Sequence, residues 1–541
     1  MTQTWWRGAV LYHVYVRSFF DSDGDGHGDL PGVAAKLDYI QSLGVDGIWL
    51  SPIHPSPNRD WGYDIADYQG VQADYGTLDD FEDLLEAAHA RGLKVVLDEV
   101  LSHTSDEHPW FVESLTGGAA GPKADWYVWA DPKVDGTAPN NWLSVFGGPA
   151  WAYQPARRQH YHHKFLRQQP KLNWRNADAR EAALSVLDLW LERGVDGFRL
   201  DVAGTYLHDE ALTDNPPAEK TERAFRHASD LQRHLYDSNL PENVKVLDLI
   251  RRRVEAHDGK NGGDRFVFGE FSEEEERCGA YLSAEDGLHS AYTFVLLTAD
   301  QLTPQTFREH YATFERFPAH WPTISFSNHD VPRTVSRFGG DGSPEFAKLM
   351  FALLVSLKGT TLIYQGEELG LPQAQLARDQ LRDPVGDLYW PYVGGRDGCR
   401  TPMPWNGSDN LGFTDGTPWL PAAAEHASLT VEEQENDPDS PLAFAREMVA
   451  FRKASPTMTH GDIAFLDVPT PVLAFVRRSE TGAIACVFNL SAEPQIVHHD
   501  QLEDGDLWPL RSGEADLRGG SLGLSPWAAA FLSLPREFAA D

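Results

Sequence analysis

Eight short apolar runs, separated by amphipathic segments, constrain the fold of this chain more than any other feature. LYHVYV, DGIWLS, KVVLD, GFRLD, FVFGE, AYTFVL, TISFS and TTLIYQG are rich in Val, Ile, Leu and aromatic residues. That is the composition of strands buried on both faces. Segments such as VAAKLDYIQSLG and FEDLLEAAHARG lie between them with helical spacing, and such alternation builds a parallel sheet covered by helices. Eight repeats match a (β/α)8 barrel. A doubly wound sheet also alternates, but it rarely takes eight strands with acids at several strand ends, and no Gly-rich dinucleotide fingerprint is present.

Two stretches break the alternation. Residues from about Ser105 to Asn173 are rich in Trp, Tyr, Gly and Pro (WYVWADP, NNWLSVFGGPAW). They are too many for a βα loop, so they form a lid domain or another functional insertion. A second irregular stretch covers about 371–440. Beyond the segment PLAFAREMVAFRKA, the runs AFVRR, IACVFNL and AAAFLSL read as short antiparallel strands. The expected organisation is a barrel from residues 1–104 and 174–456, a lid over 105–173, and a C-terminal β-sandwich over 457–541.

A net charge of −35 argues against nucleic acid and anionic membrane surfaces as partners. No apolar run reaches membrane-spanning length, and MTQTWWRGAVLYHVYVRSFF lacks the features of a signal peptide. The three cysteines, Cys278, Cys399 and Cys486, are widely spaced, so a reducing compartment is expected, with the cytoplasm as default.

Three of the apolar runs lead directly to an acid: VDGFRLD to Asp201, DRFVFGE to Glu270 and PTISFSNHD to Asp330. Acids at strand ends face the mouth of a parallel sheet, where α/β enzymes place their chemistry. Converging carboxylates suit glycoside cleavage, which needs a nucleophile, a proton donor and negative charge against an oxocarbenium-like transition state. The alternative is that each acid is a helix N-cap. Arg199 favours chemistry: it lies two residues before Asp201 and therefore on the same strand face, where a guanidinium favours the ionised carboxylate.

The segment DSDGDGHGD places Asp21, Asp23, Asp25, His27 and Asp29 in a glycine-spaced loop. Four alternate carboxylates repel one another unless a hard cation gathers them, so Ca2+ or Mg2+ in a structural role is the reading. The alternative is a solvated acidic turn.

With these motifs in their order, from YHVYVRSF to RTPMPW, the chain resembles the α-amylase family of glycoside hydrolases in its oligo-1,6-glucosidase and α-glucosidase branch. The resemblance spans essentially the whole chain. It implies Asp201 as nucleophile, Glu270 as acid/base and Asp330 as transition-state stabiliser. Arg199, His103 and His329 would contact the catalytic centre or the innermost sugar, with Asp98 structural. From DWGYD and GCRTPMPW it implies an Asp60–Arg400 pair closing the pocket around the terminal glucose and Tyr63 stacking on its ring. Such a blind pocket implies exo-action on small α-glucosides such as maltose, isomaltose or sucrose, by retention and with glucosyl transfer to other acceptors.

Departures from the family pattern bear on substrate. Ser102 stands where many members have an Asn that helps bind calcium between barrel and lid. Lys171 replaces the acid in the block usually read QPDLN, which weakens assignment to the pure oligo-1,6-glucosidase group. Val202 after the nucleophile matches members active on α-1,6 links. The run SEEEER after Glu270 is a solvated helix start or a rim of the acceptor subsite. A sucrose isomerase or trehalulose-forming enzyme is the alternative on the same scaffold. A non-catalytic family member is the remote one, disfavoured because all three acids are present.

Overall fold

The computed structural model describes residues 4–219, 227–259, 263–271, 279, 281, 287–317, 321–340, 342–509, 512–535 and 538. The SEEEER run and Cys278 fall outside them. Strands β1 (Val10–Val14), β2 (Gly47–Leu50) and β3 (Lys94–Glu99) open the chain. Three short strands follow, β4 (Trp129–Ala130), β5 (Trp151–Gln154) and β6 (Gln159–His162). Then come β7 (Gly197–Leu200), β8 (Phe266–Phe271), β9 (Ser290–Thr293), β10 (Thr323–Ile324) and β11 (Thr360–Tyr364). Apart from β4–β6, these strands form one eight-stranded parallel sheet in the order β10-β11-β1-β2-β3-β7-β8-β9. Its first and last strands meet through Ser290, which donates to the Trp321 carbonyl at 2.6 Å and lies 2.6 Å from Thr323 Oγ1.

Period-two alternation explains what lies inside. Leu11, Trp49, Val96, Phe266, Phe268, Tyr292 and Leu362 share one buried cluster, whereas Val10, Tyr12, Val14, Ile48, Leu50, Val95 and Leu97 belong to another that includes residues of the surrounding helices. Two residues beyond Val96 on the same face stands Asp98. Beyond Phe268 stands Glu270, and Arg199 pairs in register with both Asp98 and Phe268. Each inner face thus starts apolar and ends charged, which places the ionisable groups at the C-terminal mouth of the barrel.

Two of the expected strands are shorter than their apolar runs. AYTFVL is strand only to Thr293, and Phe294–Thr298 turns into a helix. TISFS contributes only Thr323–Ile324. Burial, which both strand and helix can satisfy, is what the apolar run encodes.

Strands β4, β5 and β6 make an antiparallel sheet in the order β4-β6-β5 within the long interruption after β3. At the C-terminus, β12 (Asp462–Phe465), β13 (Val472–Ser479), β14 (Gly482–Asn489), β15 (Gln495–His498), β16 (Asp506–Leu507), β17 (Ala515–Arg518), β18 (Ser521–Leu524) and β19 (Ala529–Leu534) form two antiparallel sheets, β12-β13-β14-β19-β16 and β15-β18-β17. Val472, Ala474, Val476 and Leu532 pack with Val497, Leu522 and Leu524 of the smaller sheet, while the alternate residues Leu473, Phe475, Phe488 and Phe531 join the barrel cluster. The larger sheet is buried on both faces, and this welds the module to the barrel.

Candidate active site

The three predicted acids stand at the barrel mouth. Asp201 follows β7, Glu270 ends the inner face of β8, and Asp330 lies in the loop after β10. None of them is a helix N-cap; the short turn Ala203–Thr205 behind Asp201 is capped by Val202.

Arg199, fully buried, organises the first cluster. Its Nη1 bonds Asp98 Oδ1 at 2.6 Å and Asp201 Oδ1 at 2.8 Å, and its Nη2 meets Glu270 Oε2 at 2.7 Å. Its Nε and Nη2 also donate to the Tyr292 hydroxyl, which donates to Glu270 Oε1 at 3.1 Å. Arg199 therefore pairs with Asp201, as the two-residue spacing suggested, and also with Asp98 and Glu270. Burial pushes the Asp201 carboxyl well up; Arg199 opposes this, while Glu270 and Asp98 repel. Asp98 is likewise raised by burial, to about 7, against the pull of Arg199. One guanidinium thus faces three carboxylates, and negative charge exceeds positive around Arg199.

Asp330 has the opposite surroundings. Arg396 Nη1 and Arg400 Nη2 reach its Oδ1 at 3.0 and 2.8 Å, and His329 Nε2 lies 3.3 Å from Oδ2. Burial would raise this carboxyl, but His329, Arg396 and Arg400 outweigh it and hold it far below the usual carboxylate range. Arg400 Nε also donates to the His329 carbonyl at 2.7 Å.

The expected Asp60–Arg400 pair is not formed. Arg396 Nη2 is the partner of Asp60 Oδ1, at 2.7 Å, and the same guanidinium bonds Asp383 at 2.8 Å. Arg400 is instead engaged by Asp330 Oδ1 and the His329 carbonyl. Gln169 Nε2 donates to Asp60 Oδ2 at 3.0 Å and lies 3.2 Å from His103 Nε2. Tyr63 stacks on His329, with ring centroids 5.2 Å apart, and donates to Asp98 Oδ2 at 2.9 Å. His103 rests between Ser102 Oγ, 2.7 Å from its Nδ1, and the Tyr63 carbonyl, 3.0 Å from its Nε2. Burial lowers His103 to about 3, so it is a neutral hydrogen-bonding group.

All nine residues expected from sequence at the sugar site thus gather in one region. Arg396, Tyr292, Gln169 and Asp383 were missed. Arg396 sits four residues before Arg400 in GGRDGCR and Gln169 opens QPKLN, so position within a recognised block was the available signal. Tyr292 gave none beyond strand alternation.

In the acidic loop, carboxylate oxygens of Asp21, Asp23 and Asp29 lie within 4.8 Å of one another. Asp21 is buried and accepts from the backbone of Asp23, Gly24 and Gly26, while Asp29 caps the helix Leu30–Ala35 through Gly32 N–H. Asp25 and His27 stand outside that group: Asp25 accepts from His27 N–H at 2.7 Å, and His27 Nδ1 meets Arg17 Nη1 at 2.7 Å. Three converging carboxylates fit a hard cation.

Residues 13–461 match the alpha amylase catalytic domain. A probable alpha-glucosidase of Rhizobium meliloti (strain 1021) is 47% identical over 505 residues, 90% of each chain. Among solved structures, the alpha-glucosyl transfer enzyme XgtA superposes with a TM-score of 0.95 at 44% identity, covering 99% of this chain and 100% of that one. The trehalulose synthase MutB of Pseudomonas mesoacidophila MX-45 gives 0.88 at 31% identity, with 99% and 100% covered. A (β/α)8 barrel with acids of this geometry at its mouth defines a glycoside hydrolase. The chain belongs to the alpha-amylase family.

Proposed function

We propose that this enzyme is a retaining, exo-acting α-glucosidase that cleaves terminal α-glucosidic bonds of small substrates and also transfers glucose to other acceptors. The observation that carries the reading is the meeting of Asp201 and Glu270 on one buried guanidinium. An Asp201 oxygen attacks the anomeric carbon as the C1–O bond breaks, and Glu270 gives its proton to the leaving oxygen. Glu270 then takes a proton from water as that water displaces the Asp201 ester, which releases α-glucose; a sugar hydroxyl in place of water yields a transferred glucoside. Asp330, locked anionic, stabilises the positive sugar ring, the kind of preorganised charge that supplies much of catalysis. Asp60, held by Arg396 and Gln169, bounds the terminal glucose, with Tyr63, His103, His329 and Arg400 lining it.

Product analysis after incubation with maltose, isomaltose and sucrose tests this. Glucose plus transfer products is the expected result. An isomerised disaccharide as main product from sucrose would install the isomerase reading instead, which the likeness to a trehalulose synthase favours. We further assign a structural Ca2+ or Mg2+ to Asp21, Asp23 and Asp29, where its charge would relieve carboxylate repulsion and pin the loop. Cys399 and Cys486 are buried and unpaired, which favours a reducing compartment such as the cytoplasm. Among the described residues no helix is long and apolar enough to cross a membrane.

A further inference from the structure

The turn behind the nucleophile is strained and gripped from several directions. Val202 has φ +39° and ψ +47°, a left-handed conformation that a β-branched residue rarely adopts. Its N–H donates to Glu270 Oε2 at 3.2 Å, and its carbonyl accepts from Thr205 N–H and Oγ1, both at 2.9 Å. The Ala203 carbonyl accepts from Asn243 Nδ2 at 2.8 Å, and the Gly204 carbonyl from Asn239 N–H at 2.7 Å. The Thr205 carbonyl accepts from the Lys171 ammonium.

Lys171 differs from the other partners because it comes from the long insertion after β3. Its side chain is 2% exposed, and its backbone pairs with His103 in a β-bridge. Two residues earlier in the same segment, Gln169 holds Asp60. No carboxylate pairs with Lys171 among the described residues: the nearby Asp237 is taken by Lys164 at 2.9 Å and His234 at 3.0 Å. A buried lysine whose identified hydrogen bond goes to one carbonyl is costly to desolvate, and here that carbonyl belongs to the strained turn.

We infer that Lys171 is a positioning residue that clamps the Asp201–Thr205 turn to the lid and thereby sets the relative placement of the Asp201 carboxylate and Glu270. The inference rests on the roles given to those two acids. One lid segment then fixes both the far end of the sugar pocket, through Gln169, and the nucleophile turn, through Lys171. The charge of the clamp also depends on pH. Burial lowers the Lys171 amine to about 7, with Lys164 adding to the effect and Asp237 opposing it; His103, His162 and His208 are the other titratable groups that feel this amine. The ammonium is present below that value, and its charge-assisted bond weakens as pH rises through it.

Lys171→Met and Lys171→Arg, assayed in the intact enzyme, test the inference. Met is expected to lower kcat about 10- to 100-fold on both an aryl α-glucoside and a disaccharide, with KM changed less than about threefold. Arg is expected to restore much of the loss and to move the alkaline limb of kcat to higher pH, because its charge persists there. A lowered Tm with kcat per folded enzyme and the alkaline limb both unchanged in the two variants would make Lys171 merely structural. Labelling with 5-fluoro-α-glucosyl fluoride separates the two layers. A label on any residue other than Asp201 overturns the underlying reading, whereas equal labelling rates in wild type and Lys171→Met at saturating reagent overturn the clamp alone. Should Lys171→Met fail to fold, the Lys171→Arg pH profile still decides.

Discussion

The two clusters at the barrel mouth distribute their cations differently. Around Arg199, one guanidinium serves Asp98, Asp201 and Glu270. Around Asp330, two guanidiniums serve one carboxylate, and Arg396 reaches on to Asp60 and Asp383. The first arrangement crowds three carboxylates on one cation, and burial raises the Asp201 carboxyl there. The second has two guanidiniums among three carboxylates, but both converge on Asp330 and keep it ionised. The same side-chain chemistry therefore shares one cation among three carboxylates in one cluster and focuses two cations on one carboxylate in the other, and that focusing holds Asp330 ionised.

The most severe way to break the first end is Asp201→Asn. Turnover of an activated α-glucoside should fall at least about 10⁴-fold, and near-normal turnover removes Asp201 as nucleophile. The same variant should raise Tm. Burial raises this carboxyl, so the folded state binds its proton more tightly than the unfolded chain, and stability falls as pH climbs above the ordinary carboxylate range. Removing the acid abolishes that loss, so the Tm gain should be larger at pH 8 than at pH 4; no difference would contradict the crowded-carboxylate picture.

Glu270→Gln comes next, with a loss of about 10² to 10⁴ on disaccharides and far less on aryl glucosides, whose leaving groups need no proton. Equal losses on both would argue against an acid role.

At the second end, Arg396→Ala and Arg400→Ala sharpen the contrast. Arg396 bonds three carboxylates, whereas Arg400 bonds one carboxylate and the His329 carbonyl, so losing Arg396 leaves more buried charge uncompensated. Its KM should rise about 10- to 100-fold and its Tm should fall further than that of Arg400→Ala. The reverse order would restore Arg400 as the partner of Asp60.

The smallest effect belongs to the acidic loop, whose carboxylates bond no residue of either cluster among the described residues. Chelation should lower Tm by about 1 °C for each kcal/mol of lost binding and leave kcat at 25 °C unchanged. A fall in kcat with no shift in Tm would overturn a structural cation.

Much of this was legible beforehand because it depends on local pattern. Strand alternation puts Asp98 above Val96, Glu270 above Phe268 and Arg199 on the face of Asp201, so the inward acids follow from period two. AYTFVL and TISFS misled because an apolar run records burial without choosing strand or helix. The Asp60 partner misled for a different reason. Arg396 and Arg400 lie on one irregular loop, and no periodicity says which of two arginines four residues apart will face which acid.

From the chain alone came the barrel, the three acids and the reaction class, since strand period and residue chemistry are local properties. Only the folded structure decided how charge is shared: which carboxylates crowd one guanidinium, which carboxylate receives two, and that a lid lysine holds the nucleophile turn. Those outcomes depend on distances between segments far apart in sequence, and pairwise electrostatics in a buried site vary with such distances far more steeply than any local pattern records.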